Sequence, residues 1–376
     1  MATGTLVKVL RDAAELRALV PAWEALAAEA AEPNPFYEPW MLLPALEAYG
    51  AGEGFRCVAV WDDGVLGALF PLRLEKRWRL SVRAARSWGH RNMLNGTPLL
   101  RAKSAAKCMA ALLASGVAPL VEFEWSSAGG LFYGALAEAA GGAGSPWLVT
   151  DAYTRAVLVR GRDPRARFNS NMKNNLRRWQ AKLAGAGKLS PVRLAPGDDI
   201  GAWTEQFIAL EASGWKGAAG SAIACREDDR RFVPAVLAEA HRRGRLIITG
   251  LDLDGRPLAR HCMLVGGEGA FTFKIAYDET YASCSPGIVA EVDNVRQFLE
   301  SAGPSWIDSN TSRENTSYGR VWKDRRTVQR VAVGLSAAGR LAVAALPLAR
   351  FAVHCVKSFR PQLRRGPALQ PRLQER

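Results

Sequence analysis

The chain has 376 residues, a formal net charge of +14 at neutral pH and an apolar fraction of 48%. This length suggests two domains, and this balance of apolar and charged residues excludes a disordered chain. The charge favours anionic partners, namely nucleotide phosphates, acidic glycans, nucleic acid or an anionic membrane surface, without choosing among them. Simple solubility is the other explanation of the charge.

The cysteines carry no metal or disulfide signature. They are scattered along the chain without a CxxC pair or a neighbouring histidine cluster: Cys57, Cys108, Cys225, Cys262, Cys284 and Cys355. This spacing predicts no metal site and a reducing compartment. The first residues lack a basic segment followed by an apolar run, and no uninterrupted apolar stretch is long enough to cross a bilayer. We therefore expect a cytoplasmic protein.

The first half of the chain mixes strand, helix and turn signals. In chain order these predict a strand at 6–10, helices at 12–28 (with Asp12 as N-cap) and 39–49, a hairpin around Asp62-Asp63-Gly64, a strand at 80–88, a helix from Thr97-Pro98 to 113, a strand at 121–125 and a helix at 131–140. The segment GGAGSP, at 141–146, is a candidate linker.

The second half gives a similar order of signals. They predict a strand at 153–160, a basic helix at 171–188, a hairpin around Asp254-Gly255, a strand over 270–277, a helix opened by Ser285-Pro286 and running to 299, and a strand at 306–310. The basic helix is interpreted either as a solvated face or as an anion-binding edge.

Three landmarks recur at nearly constant spacing, which suggests an internal duplication. The intervals are 191 residues from Gly64 to Gly255, 188 from Pro98 to Pro286 and 186 from Val121 to Ile307. We therefore predict an α/β (α+β-like) fold of two tandem lobes, each a mixed, mostly antiparallel sheet flanked by helices. The predicted divisions are a degenerate first lobe at 1–150, a functional second lobe at 151–334 and a basic tail at 335–376.

The tail has an amphipathic pattern between residues 335 and 359. Its apolar positions form one stripe: Leu341, Ala345, Leu348, Ala352, Cys355 and Phe359. Pro347 is expected to divide the segment into two helices. The stripe is expected either to pack on the second lobe or to lie as a basic helix on an anionic membrane, which would make the protein peripheral at the inner membrane face.

Four segments resemble one family. They are NPFYEPWMLLPAL (34–46), LEASGWKG (210–217), AYDETYASCSPGIV (276–289) and IDSNTSRENTSYGRVWKDRR (307–326). In this order they resemble the CelD-like, cellulose-biosynthesis-associated branch of the GNAT superfamily, which is related in fold to the FemAB peptidoglycan transferases. FemAB-type chains tend to have a lysine before the late aromatic residue. Here Arg320 stands before Trp322, which departs from a FemAB mechanism.

The resemblance implies an N-acyltransferase that takes its acyl group from acetyl-CoA or another acyl-CoA. The thioester must be held, its carbonyl polarised and the acceptor amine deprotonated. Ser285, Gly287 and Ile288 open a helix whose N-terminus could bind the pyrophosphate. The backbone of Lys274, Ile275 and Tyr277 would face the thioester, as the GNAT resemblance implies.

The base and the acceptor pocket are less sharply defined by the sequence. Glu211 and Asp308 are the leading candidates for the catalytic base, because Asp308 ends a strand and Glu211 precedes Trp215 and Lys216. His261 and Asp278 are further candidates for the base, although a histidine in mid-strand, as His261 is, is more often structural. The expected acceptor-binding residues are Trp215, Lys216, Asp278, Tyr318 and Trp322.

Two further functions stay open. A FemAB-like transferase that uses aminoacyl-tRNA would suit the basic helix at 171–188, although no RNA-recognition motif supports nucleic acid as a partner. A non-catalytic adaptor of a polysaccharide-synthesis system is the third hypothesis. The leading hypothesis is an acyltransferase whose acceptor is a small-molecule or glycan amine used in surface polysaccharide synthesis.

Overall fold

A computed structural model describes residues 4–77 and 82–359. Strands of this part of the chain join in one mixed sheet: β1 (Thr5–Leu10), β2 (Phe55–Asp62), β3 (Val65–Arg77), β4 (Val82–Ser87), β5 (Leu99–Leu100), β6 (Leu120–Ser127), β7 (Trp147–Val159), β8 (Leu189–Arg193), β9 (Leu246–Leu253), β10 (Arg256–Gly266), β11 (Gly269–Tyr277), β12 (Trp306–Asp308) and β13 (Asp324–Gly334).

The α-helices flank this sheet. They are α1 (Ala13–Arg17), α2 (Val20–Ala28), α3 (Pro39–Tyr49), α4 (Ala105–Ala114), α5 (Leu131–Gly142), α6 (Ser170–Ala186), α7 (Ile200–Ala212), α8 (Trp215–Ala218), α9 (Glu227–Arg242), α10 (Pro286–Glu300) and α11 (Ala337–Phe359). None of the described helices is both long and apolar enough to span a bilayer.

The strand order repeats in the two halves, as the duplication predicts. It runs β1-β2-β3-β4-β6-β13-β7-β12-β11-β10-β9-β8, and β5 pairs with β3. In each half an antiparallel set ends in one parallel pair, β4 with β6 and β11 with β12. The two central strands are exchanged between the halves. β13, from the second half of the chain, pairs with β6 of the first half, whereas β7 pairs with β12 of the second half. Residues 150 and 151 both lie within β7.

Both predicted hairpins form, and their turns explain why the sequence specified them. Asp63 and Gly64 have φ values of 49° and 81°, and Asp254 and Gly255 have φ values of 51° and 75°. Two successive residues with positive φ define a type I′ turn, which matches the twist of paired strands and favours Asp-Gly.

Three helix predictions are wrong in detail. The helix expected from Thr97 begins only at Ala105, because Leu99 and Leu100 pair with β3 as β5. The helix expected at 12–28 is divided into α1 and α2, and Asp12 caps α1 through the amide of Glu15. The tail helix is not divided, since α11 continues through Pro347.

The core is arranged on both faces of the sheet. Alternate residues of β2 enter different cores: Cys57 and Ala59 pack with α2 and α3, whereas Val58 and Val60 pack with α4 and α5. The first of these cores continues into the second half through α7, α9 and β10. The two halves therefore share one hydrophobic core on that face.

The tail helix packs through residues outside the predicted stripe, so at Leu341 and Leu348 the alternative in which the stripe packs on the second lobe is not observed. Ala342, Val343 and Leu346 are buried, whereas Leu341 and Leu348, both in the predicted stripe, are 72% and 74% exposed. Ala352, Cys355 and Phe359 belong to the part of α11 whose side chains lie outside the described residues.

Candidate active site

A cleft of about 460 Å³ opens where β11 ends. Its walls are the end of β11, the first turns of α10, the junction of α7 with α8, and the 315–320 segment. Most of the predicted site residues meet there: Glu211, Trp215, Lys216, Ile275, Tyr277, Ser285, Gly287, Ile288 and Tyr318. The cleft also has a floor formed by residues that the sequence did not predict as part of the site.

The sheet opens beside this cleft. β11 pairs with β12 only from Gly269 to Phe271, because β12 ends at Asp308. From Thr272 to Tyr277, β11 has no strand on that side in the described part of the chain. The side-chain amide of Asn310 donates to the Thr272 carbonyl oxygen at 3.2 Å. Apart from the Ile275 carbonyl oxygen, which accepts from Lys216, the later backbone groups on this edge of β11 are left available to a bound molecule.

The N-terminus of α10 forms the second wall. Ser285 is the N-cap of α10, with φ 45° and ψ 54°, and its side chain makes no capping hydrogen bond. Its carbonyl oxygen instead accepts from the amide of Ile288 at 2.9 Å. The Gly287 amide has no hydrogen-bond partner among the described residues. A Cβ on Gly287 would lie 3.2 Å from the Tyr277 ring, so glycine keeps this wall open. Free amides and the positive end of a helix suit a phosphate group.

Glu211 and Lys216 form a fixed pair at the opposite wall. The Lys216 ammonium donates to Glu211 Oε1 at 2.8 Å and to the Ile275 carbonyl oxygen at 3.1 Å. The other Glu211 oxygen accepts from the amide of Ile223 at 2.9 Å. Because both carboxylate oxygens are occupied and Glu211 is only 3% exposed, this geometry favours a positioning role over that of a free base. Trp215, in contrast, is 59% exposed at the mouth.

The floor contains a histidine and glutamate pair that sequence reasoning missed. His261 Nδ1 lies 2.7 Å from Glu291 Oε2, and both side chains are buried. His261 Nε2 has no hydrogen-bond partner among the described residues. Both residues line the cleft. A carboxylate at one ring nitrogen fixes the orientation of an imidazole and favours a basic Nε2.

Glu291 is itself held in place from the other side. The Trp322 indole N–H donates to Glu291 Oε1 at 2.6 Å, and the Asn294 amide donates to the same oxygen at 3.1 Å. Trp322 was predicted to contact the acceptor. It is buried, and its hydrogen bond holds Glu291 in position. No local sequence signal joins His261 on β10 to Glu291 on α10, because the contact depends on the packing of α10 over β10.

Tyr318 lies next to His261 of the histidine and glutamate pair. Burial, followed by the Glu291 carboxylate, raises the pKa of the Tyr318 phenol well above 10, while the Thr272 hydroxyl lowers it. Tyr318 therefore stays protonated at neutral pH. Its ring makes edge contact with His261, with centroids 6.4 Å apart.

Besides Trp322, three predicted site residues lie outside the cleft. Lys274 is largely buried, and this burial lowers the pKa of its ammonium group. The Asp278 carboxylate accepts from the amide and the hydroxyl of Thr280, at 2.9 and 2.7 Å, and so caps the turn after β11. Asp308 is fully buried.

Asp308 is instead the centre of an ion-pair cluster. Arg155 Nε lies 2.6 Å and Arg326 Nη1 3.2 Å from its carboxylate. Arg326 also covers the ring of Trp306 at 4.1 Å. These two arginines line a second cleft over the central strands, where Asp308 forms no part of the wall. The geometry therefore does not support Asp308 as the base of the first cleft.

The comparisons with known proteins agree with the fold. Residues 170–345, somewhat less than half of the chain, match the family model of an acetyltransferase (GNAT) domain. This match identifies a GNAT-type acyltransferase domain in the segment that contains the cleft, and it supports a transferase. The curated proteins include no match to this sequence.

Solved structures resemble the whole described fold at low identity. A crystal structure of FemX has a TM-score of 0.54 and 9% identity, with 88% of this chain and 98% of FemX covered. The C-terminal domain of a putative lysylphosphatidylglycerol synthetase from Agrobacterium fabrum has a TM-score of 0.48 and 12% identity, covering 90% of this chain and 97% of that one. A tandem GNAT protein from the clavulanic acid pathway has a TM-score of 0.42 and 13% identity, covering 89% and 99%. At these identities the likeness concerns the fold alone.

Proposed function

We propose that the chain transfers an acyl group from an acyl-CoA thioester to an amine within the cleft at the end of β11. The observation that carries the proposal is the free edge of β11 beside the open N-terminus of α10. The unpaired Gly287 amide and the helix dipole suit a pyrophosphate. Acetyl-CoA is the proposed donor, and an amino group of a polysaccharide precursor, as the CelD-like resemblance implies, is the proposed acceptor.

The residues of the floor supply the proton transfers. His261 Nε2 accepts the proton of the amine as its nitrogen attacks the thioester carbonyl carbon, and Glu291 stabilises the resulting imidazolium. Backbone amides on the free edge of β11 donate to the carbonyl oxygen as it gains negative charge. When the carbon–sulfur bond breaks, the proton on the His261 imidazolium passes to the thiolate through the Tyr318 hydroxyl, which gives up one proton and regains another, so that both residues return to their starting state. These steps assign the base to His261 in place of Glu211 or Asp308.

A second candidate donor is an aminoacyl-tRNA. It is favoured by the face of α6, on which Lys173, Arg177, Arg178 and Lys182 are all exposed. Helix α6 packs against α10 and so lies next to the cleft. Neutralising phosphates with such a row of cations would give binding that weakens steeply with salt.

The experiment compares His261→Asn and Glu291→Gln with the parent, using acetyl-CoA as donor and glucosamine as the probe amine. Removal of a general base is expected to lower kcat by about 100-fold or more, with acetyl-CoA affinity nearly unchanged. Glu291→Gln should cause a smaller loss and a shifted pH profile. His241→Asn, outside the cleft on α9, is the matched control.

The outcomes test the assignment of the base and the assignment of the donor independently. Parent-like turnover by His261→Asn would reject His261 as the base. If the parent is not stabilised against thermal unfolding by acetyl-CoA, the acyl-CoA donor is wrong. Salt-dependent binding of tRNA by that same protein would then favour the second candidate.

A further inference from the structure

Helix α11 is apolar on every side over two turns. Between Arg340 and Arg350 the sequence is LAVAALPLA, without a charged or hydrogen-bonding side chain. Only one side of this stretch is packed: Ala342, Val343 and Leu346 are buried, and the helix lies against β13. A helix that is apolar all round is normally buried all round. The outward side of α11 therefore lacks the partner that its composition suits.

The outward side has a regular apolar pattern. Leu341, Ala345 and Leu348 are spaced at i, i+4 and i+7, which places them on one helix face. Leu341 and Leu348 are 72% and 74% exposed, whereas Trp215, at the mouth of the cleft, is 59% exposed. We define Leu341, Ala345 and Leu348 as the outer face of α11.

The charge around the outer face selects among possible partners. Arg340 precedes it, and the sequence that follows contains many cations and a single acid, Glu375: Arg350, Lys357, Arg360, Arg364, Arg365, Arg372 and Arg376. A second copy of the chain would bring an equally cationic tail to the same place, and the two would repel. An anionic surface that can also accept apolar side chains matches both properties.

We propose that the outer face of α11 docks on an anionic lipid bilayer. Leu341 and Leu348 enter the boundary between headgroups and acyl chains, and the flanking cations contact lipid phosphates. Apolar insertion and electrostatic attraction each give only weak attachment, and together they give stable peripheral binding. The proposal is independent of the chemistry in the cleft, since no described residue of α11 lines the cleft.

The test is co-sedimentation of the full chain with vesicles of phosphatidylglycerol and phosphatidylcholine in equal parts, and with vesicles of phosphatidylcholine alone. We expect binding to the anionic vesicles that falls at high salt. The double variant Leu341→Ser/Leu348→Ser should bind roughly tenfold more weakly or worse, because two inserted leucines are lost. Both side chains are mostly exposed, so the fold and the thermal unfolding temperature should not change.

A matched control removes exposed apolar side chains elsewhere. Leu6→Ser/Val65→Ser changes two residues of the first half that are 52% and 51% exposed, and it should bind anionic vesicles like the parent. Equal binding of the α11 variant and the parent would overturn the proposal, as would equal binding of the parent to both kinds of vesicle. A protein dimer that is abolished by the α11 variant, without vesicle binding, would show that a second copy covers the outer face instead.

Discussion

His90 shows how one buried side chain can make the contact between the two halves sensitive to acid. Its ring stacks on Tyr49 at a centroid distance of 4.5 Å and meets the edge of Phe232 from α9 at 5.1 Å. Burial, followed by the nearby charges of Arg91 and Lys274, lowers the pKa of His90 to about 3. The folded protein therefore keeps this imidazole neutral.

We predict that the free energy of unfolding falls as the pH is lowered from about 6.5 towards about 3. In this range the unfolded chain binds a proton at His90 and the folded chain does not, so protonation favours unfolding by about 1.4 kcal/mol per pH unit. His90→Phe keeps the stacked ring and removes the titration. Urea unfolding at about pH 7.5 and about pH 5 gives the decrease in the free energy of unfolding between these two pH values. This decrease should be smaller in the variant than in the parent by about 2 kcal/mol. An identical loss in both proteins would contradict this assignment.

Single residues also show where sequence reasoning stops. Asp308 has the position expected of a base, at the end of a strand, but Arg155 reaches it from more than 150 residues earlier in the chain. His261 resembles an ordinary core histidine until α10 brings Glu291 to it. Trp215, Lys216 and Gly287, which local motifs singled out, line the cleft wall. Long-range pairings leave no such local signal.

At the scale of elements, the first turn of α10 must leave room beside a neighbouring ring and is also the proposed binding site of the donor's phosphates. Gly287 lies in its first turn against the Tyr277 ring. Gly287→Ala is expected to push against that ring and weaken acetyl-CoA binding moderately. Gly287→Asp adds a negative charge where the phosphates are proposed to bind, and should weaken it much further, by at least tenfold. Isothermal titration of both variants with acetyl-CoA checks the order. Equal affinities for the parent and both variants would place the donor elsewhere.

Local turn chemistry decided which elements could be predicted. The Asp-Gly turns specify their hairpins because both turn residues need positive φ. The segment after Thr97 has a helical pattern, but its first residues become a strand because β3 offers them a pairing edge. For α11 the sequence left open whether the predicted stripe packs or faces outward, since alanine and leucine occur on both sides of the helix and their pattern does not distinguish the two.

At the scale of the whole molecule, the exchanged strands tie the halves together. β13 contributes hydrogen bonds to β6 on one side and to β7 on the other. We predict that a chain ending at residue 323 loses the native sheet in both halves and not only in the second. Hydrogen exchange should show lost amide protection in β6 as well as in β7. A chain ending at residue 359 retains β13 and is the control. Full protection of β6 in the shorter chain would contradict the prediction.

The exchange also has a consequence for biosynthesis. A ribosome releases the chain from its N-terminus, so β6 emerges about 200 residues before the strand that covers its edge. Throughout that interval the nascent first half presents an uncovered strand edge, which is a template for pairing with other chains. Completion of the sheet is thus delayed until translation has almost finished. Mispairing of this edge is therefore a hazard until β13 emerges, and slow translation near the 3′ end of the message prolongs the exposure.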